Sequence, residues 1–415
     1  MSDGLVVVGA SYAGVQIAAS ARERGYGEPI VLIGDERDAP YQRPPLSKGY
    51  LTGKVGEAML PLRGPRFYAD NRIGLRLGTP AAAIDRHGRA VVLADGSRCR
   101  FDRLAIATGS RARTLPIPGA GLDGVQTLRT LADARRLLAA IPAVQRAVVI
   151  GGGFIGLEVA ASLALAGRAV TILEASDRLL SRAATAPLAA FVAEMHRARG
   201  VEIMLGVQAT RIEGEGHARG VVCTDGARRP ADLVLIGVGA VPNGELAVAA
   251  GLLCEQSAVV VDAAGQSNEP EVVAAGDCAC LRQGAATLRL ESIQNATDQG
   301  RAAGATVAGR PAGDSVVPWF WSDQYDLKLQ MAGLAAGYDS FVVRGRMADG
   351  RFGIYYFRAG TLIAVDTVNR PGDHLLARKL IASPGRVTPA AVADESADLR
   401  SFIACSAPDA AQAGR

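Results

Sequence analysis

Residues 147–174 read Ala-Val-Val-Ile-Gly-Gly-Gly-Phe-Ile-Gly-Leu-Glu-Val-Ala-Ala-Ser-Leu-Ala-Leu-Ala-Gly-Arg-Ala-Val-Thr-Ile-Leu-Glu. The run Ala147–Ile150 is apolar and β-branched, so it reads as a buried strand. A glycine turn follows at Gly151–Gly156, then a helical pattern from Leu157 to Leu165 that Gly167 stops. Ala169–Leu173 is a second buried strand, which completes a βαβ unit. Gly151, Gly153 and Gly156 match G-x-G-x-x-G, and Glu174 ends the second strand. A dinucleotide needs this pattern. The first glycine allows the tight turn, the second keeps side chains away from the pyrophosphate, and the third lets helix and strand pack closely. The acid accepts hydrogen bonds from ribose hydroxyls and repels a 2′-phosphate, so NADH is expected over NADPH. The alternative is a glycine-rich turn that holds no ligand.

Working outward, the same unit recurs at the N-terminus. Leu5–Val8 is a strand, Gly9-Ala-Ser-Tyr-Ala-Gly14 a turn, Val15–Arg24 a helix stopped by Gly25, and Ile30–Ile33 the next strand. Gly9 and Gly14 take the outer glycine positions, Ser11 stands at the middle one, and Asp35-Glu36 follow the second strand. The two units are too far apart to be halves of one Rossmann domain. The expected fold class is α/β, with two Rossmann-like dinucleotide-binding domains and a C-terminal α+β domain containing an antiparallel sheet. Residues 1–112 with 240–314 form the FAD-binding domain, 113–239 the NAD-binding domain, and 315–415 an interface domain. In the last, Phe341–Arg344, Phe352–Phe357 and Leu362–Val365 read as antiparallel strands and His374–Ile381 as a helix, while Ala407–Arg415 reads as frayed. Between the two units, Ala90–Gly96 suggests a hairpin with an Asp-Gly turn, and Leu104–Gly109 another strand ending in glycine.

Composition narrows the function. The chain has 415 residues, 49% hydrophobic and 21% charged, a globular balance. Its 45 basic and 41 acidic residues leave +4 with no Lys/Arg block, which argues against nucleic acid and leaves room for an acidic protein partner. Six scattered cysteines form no disulfide framework, and the N-terminus lacks a cationic leader, so a cytoplasmic protein is expected. The most apolar window, residues 147–173, carries Glu158, Arg168 and five glycines, a core unit rather than a membrane span. His87, His196, His217 and His374 have no paired ligand spacing, so no metal is expected. Cys278 and Cys280 read as packing residues, and Arg135-Arg136 and Arg228-Arg229 as solvated surface.

Four motifs together make the sequence resemble the FAD-dependent pyridine nucleotide oxidoreductases of the glutathione-reductase structural class: Gly9–Gly14, Ala107-Thr-Gly109, Gly151–Gly156 and Ala275-Gly-Asp277. Within that class, Tyr41-Gln-Arg-Pro-Pro-Leu-Ser-Lys48 and Phe320-Trp-Ser-Asp-Gln-Tyr325 resemble the ferredoxin reductases of bacterial oxygenase systems, to about residue 400. The resemblance implies that NADH delivers a hydride to FAD. Electrons then pass singly to a two-iron ferredoxin that feeds a terminal oxygenase, a Rieske dioxygenase or a haem-thiolate monooxygenase. The enzyme itself is expected as a monomer or weak homodimer, with no nucleic acid and no membrane.

The resemblance also distributes roles. For FAD it implies Gly9, Ser11, Ala13, Gly14, Asp35, Arg43, Lys48, Ala81, Ala107, Thr108, Gly109, Arg111, Asp277, Gln294 and Trp321. Asp277, expected between a strand and a helix, would accept from ribityl hydroxyls or cap that helix. Arg111 would act on the pyrophosphate, and Gln294-Asn295 and Trp321 would border the ring. For NADH it implies Gly151, Gly153, Phe154, Ile155, Gly156, Glu174, Arg182, Gly237 and Gly239. Lys48 and Glu158 are expected to form an ion pair that orients the nicotinamide, the alternative for Glu158 being a carboxylate at a helix N-terminus. Arg310, Lys328 and Arg344 are candidates for steering the ferredoxin. Two rivals are weighed. A disulfide reductase of this fold needs a reactive cysteine near the flavin, and Pro44–Leu51 has none. The other is an NADH-responsive flavoprotein of the apoptosis-inducing-factor or rubredoxin-reductase type.

Overall fold

The computed structural model describes residues 4–311, 316–383 and 387–403. Cys405 and the stretch Ala407–Arg415 lie outside them. The chain divides into two compact units: residues 1–181 with 193–316, and residues 182–192 with 317–415.

The first unit holds two five-stranded parallel sheets. One orders Val272–Ala274, Arg103–Ile106, Leu5–Val8, Ile30–Ile33 and Ile73–Arg76. The other orders Glu202–Leu205, Ala169–Glu174, Arg146–Ile150, Leu233–Ile236 and Val125–Gln126. Leu5–Val8 and Leu233–Ile236 are wholly buried, which is why they read as unbroken apolar runs instead of alternating ones. In each sheet the first strand of the βαβ unit is central, so its C-terminal end carries the glycine turn to the middle of the sheet edge, where ligands of open α/β sheets bind. Helix Tyr12–Glu23 is further held by helix Ile293–Val307. Gly304 permits the close approach, because a Cβ there would lie 2.5 Å from the Ile17 carbonyl oxygen.

Among the described residues, smaller sheets accompany the parallel ones: two three-stranded antiparallel sheets, a two-stranded antiparallel ribbon and a four-stranded mixed sheet. One of the three-stranded sheets contains the expected hairpin, Ala90–Leu93 against Arg98–Arg100, and includes Ala81–Asp85. The arginine pairs are not simply solvated. Arg135 bridges Asp38 and Glu57 at 2.9 and 2.7 Å, Arg136 pairs with Asp133, Arg228 with Glu213, and Arg229 with Asp225. Arg135 thus joins separate segments of the chain, which a residue-by-residue reading cannot show.

The second unit is built on a five-stranded antiparallel sheet ordered Trp319–Gln324, Leu327–Gly333, Thr361–Val368, Arg351–Arg358, Ser340–Arg346. Helix Pro371–Ile381 packs on it through Ala377 and Leu380, against Tyr355, Phe357 and Val365. The three strands and the helix expected from sequence are present. Trp319–Gln324 and Leu327–Gly333 are two strands beyond those expected from sequence; their apolar residues are interleaved with Asp, Gln and Lys, which masks the strand pattern. Arg344 is not a surface cation. It is buried and donates to the carbonyl oxygens of Val392, Asp394, Glu395 and Ala397, closing the chain after helix Pro389–Ala393. No helix among the described residues is long and apolar enough to cross a membrane.

Candidate functional site

The two glycine turns are built alike. Gly9 N donates to Ile33 O and Gly151 N to Leu173 O, both at 2.8 Å. A Cβ on Gly9 would lie 2.0 Å from the Ala107 carbonyl oxygen, and one on Gly151 2.4 Å from that of Gly237. Both glycines also have left-handed φ, +121° and +108°. A Cβ on Gly14 or Gly156 would strike the carbonyl of Gly9 or Gly151, at 1.9 and 2.2 Å. The outer glycines are therefore demanded by the fold. Gly153 is not, since a Cβ there would meet no protein atom within 4 Å. Its bare backbone leaves room for a ligand at the N-terminus of helix Phe154–Leu165, beside exposed Ile155. Neither that helix nor Tyr12–Glu23 carries an acid in its first turn, so each helix N-terminus favours an anion. This donor set fits two dinucleotide pyrophosphates.

Each turn has its acid. Glu174 accepts from Gly152 N at 2.7 Å and Ser176 N at 2.8 Å, one on each oxygen, which leaves a lone pair on each for ribose hydroxyls. At the first turn Asp35 is exposed and accepts only locally, from Glu36 N. Glu36 instead anchors a network. It accepts from Tyr41 Oη at 2.6 Å and Arg43 at 2.7 Å, while Arg43 also donates to the Arg129 carbonyl oxygen at 2.7 Å and to Ser11 Oγ at 3.4 Å. Burial pushes the Tyr41 hydroxyl pKa well above its ordinary value. Arg43, expected among the FAD residues, has its charge balanced by Glu36 at 2.7 Å.

Asp277 follows strand Val272–Ala274 but precedes strand Ala279–Gln283, not a helix, so the helix-cap alternative falls. One of its oxygens, Oδ2, accepts from Ser110 Oγ at 2.8 Å and Arg129 at 2.9 Å. Arg129 escaped the sequence reading, although an acid at a Gly-Asp turn needs a counter-charge. Thr108 and Asn243 exchange two bonds, which brace the Ala107-Thr-Gly109 turn. Arg111 lies on the antiparallel ribbon Ser110–Ala112 with Ala240–Pro242 and pairs with Glu245 at 2.8 Å.

Lys48 and Glu158 meet. Lys48 Nζ lies 2.7 Å from Glu158 Oε2, and Ser47 Oγ donates to the same oxygen at 2.5 Å. Glu158 is 2% exposed on the fifth position of its helix, beyond the first turn, so the simple helix-terminus alternative does not describe it. Ser162 Oγ reaches the Ser47 carbonyl oxygen at 3.0 Å and fixes the backbone that carries Lys48.

Residues 3–300 match the family profile "Pyridine nucleotide-disulphide oxidoreductase", and residues 319–403 match "Reductase C-terminal". The chain belongs to the pyridine nucleotide-disulphide oxidoreductase family. It is 42% identical over 403 residues to rhodocoxin reductase of Rhodococcus erythropolis, covering 96% of this chain and 94% of that one. It is 41% identical over 411 residues to putidaredoxin reductase of Pseudomonas putida, covering 97% of each. The solved covalent putidaredoxin reductase–putidaredoxin complex is similar with a TM-score of 0.93 and 40% identity, over 96% of this chain and 98% of that one.

Family members that reduce disulfides need an accessible thiol, and Cys278 and Cys280, the described cysteines beside the Gly-Asp turn, do not supply one. Cys278 and Cys280 are buried, and burial raises both thiol pKa values. Of the remaining expected residues, Gln294 is spent on Asp298 at 2.7 Å, one turn along its own helix. In its place Gln299 accepts from Gly276 N at 2.8 Å and aligns the Gly-Asp turn. Ala81 opens the three-stranded sheet and Gly239 donates no side chain but accepts from Arg113 N. Ala13 is buried on helix Tyr12–Glu23, 3.1 Å from where a Gly276 Cβ would lie. Trp321 and Arg182 belong to the second unit, where the Trp321 ring stacks at a tilt 5.4 Å from Trp319.

Proposed function

We propose that this chain is an NADH-dependent ferredoxin reductase that uses FAD. The observation that carries the reading is the pairing of two glycine turns of one build, complete at Gly151–Gly156 and with Ser11 at the middle position of Gly9–Gly14, each on the central strand of its own parallel sheet. One chain with two such cradles is built to bring two dinucleotides together. When bound, FAD supplies the chemistry that accepts a hydride and gives up electrons one at a time. The residues supply position and electrostatics. The turns at Gly9–Gly14 and Gly151–Gly156 receive the pyrophosphates. Glu174 selects the unphosphorylated ribose. Asp277, held by Arg129 and Ser110, offers its second oxygen to a polyol hydroxyl. Lys48, with its charge balanced by Glu158, gives an electrostatic fixed point that orients the nicotinamide without burying a lone cation.

The similarity to reductases named for small iron–sulfur or related electron carriers supports a ferredoxin as acceptor, and a terminal oxygenase as the end of the chain. With +4 overall, encounter with an acidic ferredoxin is steered by charge. Exposed Arg310 and Lys328 remain steering candidates; Arg344 does not. The test is stopped-flow reduction of a two-iron ferredoxin by the NADH-treated holoenzyme. Reduction is expected to slow by about tenfold between low and physiological salt, while ferricyanide reduction barely changes. Failure to reduce any two-iron ferredoxin, with a disulfide accepted instead, would overturn the reading.

A further inference from the structure

Tyr41 is buried, and its hydroxyl joins three partners. Oη donates to Glu36 Oε2 at 2.6 Å, and accepts from Arg43 Nη1 at 3.0 Å and from Leu131 N at 2.8 Å. The guanidinium and the backbone amide can only donate, so the tyrosine proton goes to Glu36, and the hydroxyl's one donor and two lone pairs are all spent. Glu36 Oε1 accepts from Arg43 Nη2 at 2.7 Å, which closes a ring of three side chains, with Arg43 5.0 Å from the centroid of the Tyr41 ring. This ring grips the backbone of residues 129–131: Tyr41 holds Leu131 N, and Arg43 Nη1 donates to the Arg129 carbonyl oxygen at 2.7 Å. From the other side, Asp133 Oδ2 accepts from Arg129 N at 3.0 Å and Thr130 N at 2.9 Å, and Thr130 Oγ1 accepts from Asp133 N, a complete capping box for helix Leu131–Ala140.

The helix start is therefore capped without Tyr41. What the ring adds is a fixed place for Arg129 relative to Glu36, just past strand Ile30–Ile33. The Arg129 side chain uses that place: Nε donates to the Ser110 carbonyl oxygen at 2.9 Å and Nη2 to Asp277 Oδ2 at 2.9 Å. Arg43, in the same ring, reaches Ser11 Oγ in the first glycine turn at 3.4 Å. All of these residues lie in the first compact unit. An arginine free to rotate would have to be ordered when a ligand binds, at a cost in affinity. We infer that Tyr41 is a positioning residue of the FAD cradle: its hydroxyl sets the Arg129 segment so that the guanidinium already stands on Asp277, and ties that wall to the Gly9–Gly14 turn. Tyr41 acts through Arg129 and not on the cofactor. This rests on the FAD reading above.

The experiment follows the rise of flavin fluorescence after dilution of the holoenzyme, for the parent, Tyr41→Phe, Arg129→Met and the double variant. Tyr41→Phe deprives Leu131 N and Glu36 of the hydroxyl and is expected to release FAD about tenfold faster, the worth of one buried hydrogen bond. Arg129→Met keeps the backbone contacts of residue 129 and removes only the guanidinium; it is expected to release FAD at least as fast. The double variant is expected to release it no faster than Arg129→Met alone. A hydroxyl that merely held the core together would speed release by the same factor in both backgrounds. Glu36→Gln is the second probe. Its amide has one acceptor oxygen where the carboxylate has two, so one link of the ring is cut, and release should quicken in the parent background but not on top of Arg129→Met. Parental release in Tyr41→Phe and Glu36→Gln, or factors that multiply in the double variants, overturns the inference. A parent that holds no flavin overturns the FAD reading instead.

Discussion

Replacing Lys48 by methionine keeps the length of the side chain and removes its charge. Glu158, 2% exposed, would then lose the ammonium 2.7 Å away and keep the Ser47 hydroxyl at 2.5 Å. Removing one partner of a buried pair costs about 3–5 kcal/mol, because the other charge is left uncompensated. Lys48 retains 17% exposure, so some water already screens the pair, and the lower end, about 3 kcal/mol, applies. At about 2 °C per kcal/mol for a chain of this size, the melting temperature of the holoenzyme should fall by about 6 °C. Glu158→Gln keeps an oxygen for Ser47 and should cost less. The double variant buries no charge at all and should recover most of the loss. The double-mutant cycle, read by flavin release on heating, is expected to give a coupling of at least about 1.5 kcal/mol. In the same variants, flavin reduction at saturating NADH should slow by about tenfold if the pair orients the nicotinamide. Losses that simply add, together with parental rates of flavin reduction, would refute both the energetic and the orienting role.

Glu174→Ala removes the ribose acceptor and the charge that repels a 2′-phosphate, so the ratio of kcat/KM for NADH over NADPH should fall by about tenfold or more; steady-state rates with both nucleotides measure it, and an unchanged ratio would place selectivity elsewhere. Asp366, buried and accepting from Tyr356 Oη at 2.8 Å, gives a pH prediction. Burial pushes its carboxyl pKa from 3.8 up to about 7, so the folded protein holds a proton there that the unfolded chain has lost. Stability from this group is therefore fully present below pH 4 and lost as pH rises toward 7, by up to about 4 kcal/mol at 1.36 kcal/mol per unit. Asp366→Asn still accepts from Tyr356 and should gain melting temperature over the parent at pH 8 but not at pH 4; a constant difference across that range would contradict it.

What was legible in the sequence was what is local. Gly14 and Gly156 are required by carbonyls five residues back, and the glycine spacing announces both turns, although the carbonyls that exclude a Cβ at Gly9 and Gly151, those of Ala107 and Gly237, come from far along the chain. The parallel strands announced themselves because both faces are buried. The site's electrostatics were not legible, because its partners are distant: Arg43 meets Arg129 across 86 positions and Tyr41 meets Leu131 across 90. Lys48 and Glu158, 110 positions apart, were paired in advance only because an acid in an apolar run must find a cation and the resemblance located one. Arg344 misled for the complementary reason. An arginine in a strand reads as surface, and nothing in its neighbourhood announces four carbonyls arriving from residues 392–397.

The comparison of the two turns within one chain separates what folding asks of a glycine from what a ligand asks. At the outer positions both turns keep glycine, and in both a Cβ would collide with backbone. At the middle position one turn has Gly153 and the other Ser11, although the strands, the entry bond to the next strand and the helix start are the same. Ser11 has φ −136°, extended backbone that any residue adopts, so its side chain brings no strain. The backbone is thus indifferent at this position, and what serine adds is its hydroxyl, which takes a long bond from Arg43 at 3.4 Å and lies where a ligand approaches the helix N-terminus. A serine hydroxyl can donate to a phosphate oxygen as well as crowd it. It follows that Ser11→Gly should lower the melting of the FAD-free protein by no more than the long Arg43 bond is worth, under about 1 kcal/mol, and should act chiefly on the affinity for FAD; a larger loss in the FAD-free protein would show that the fold also asks for the serine.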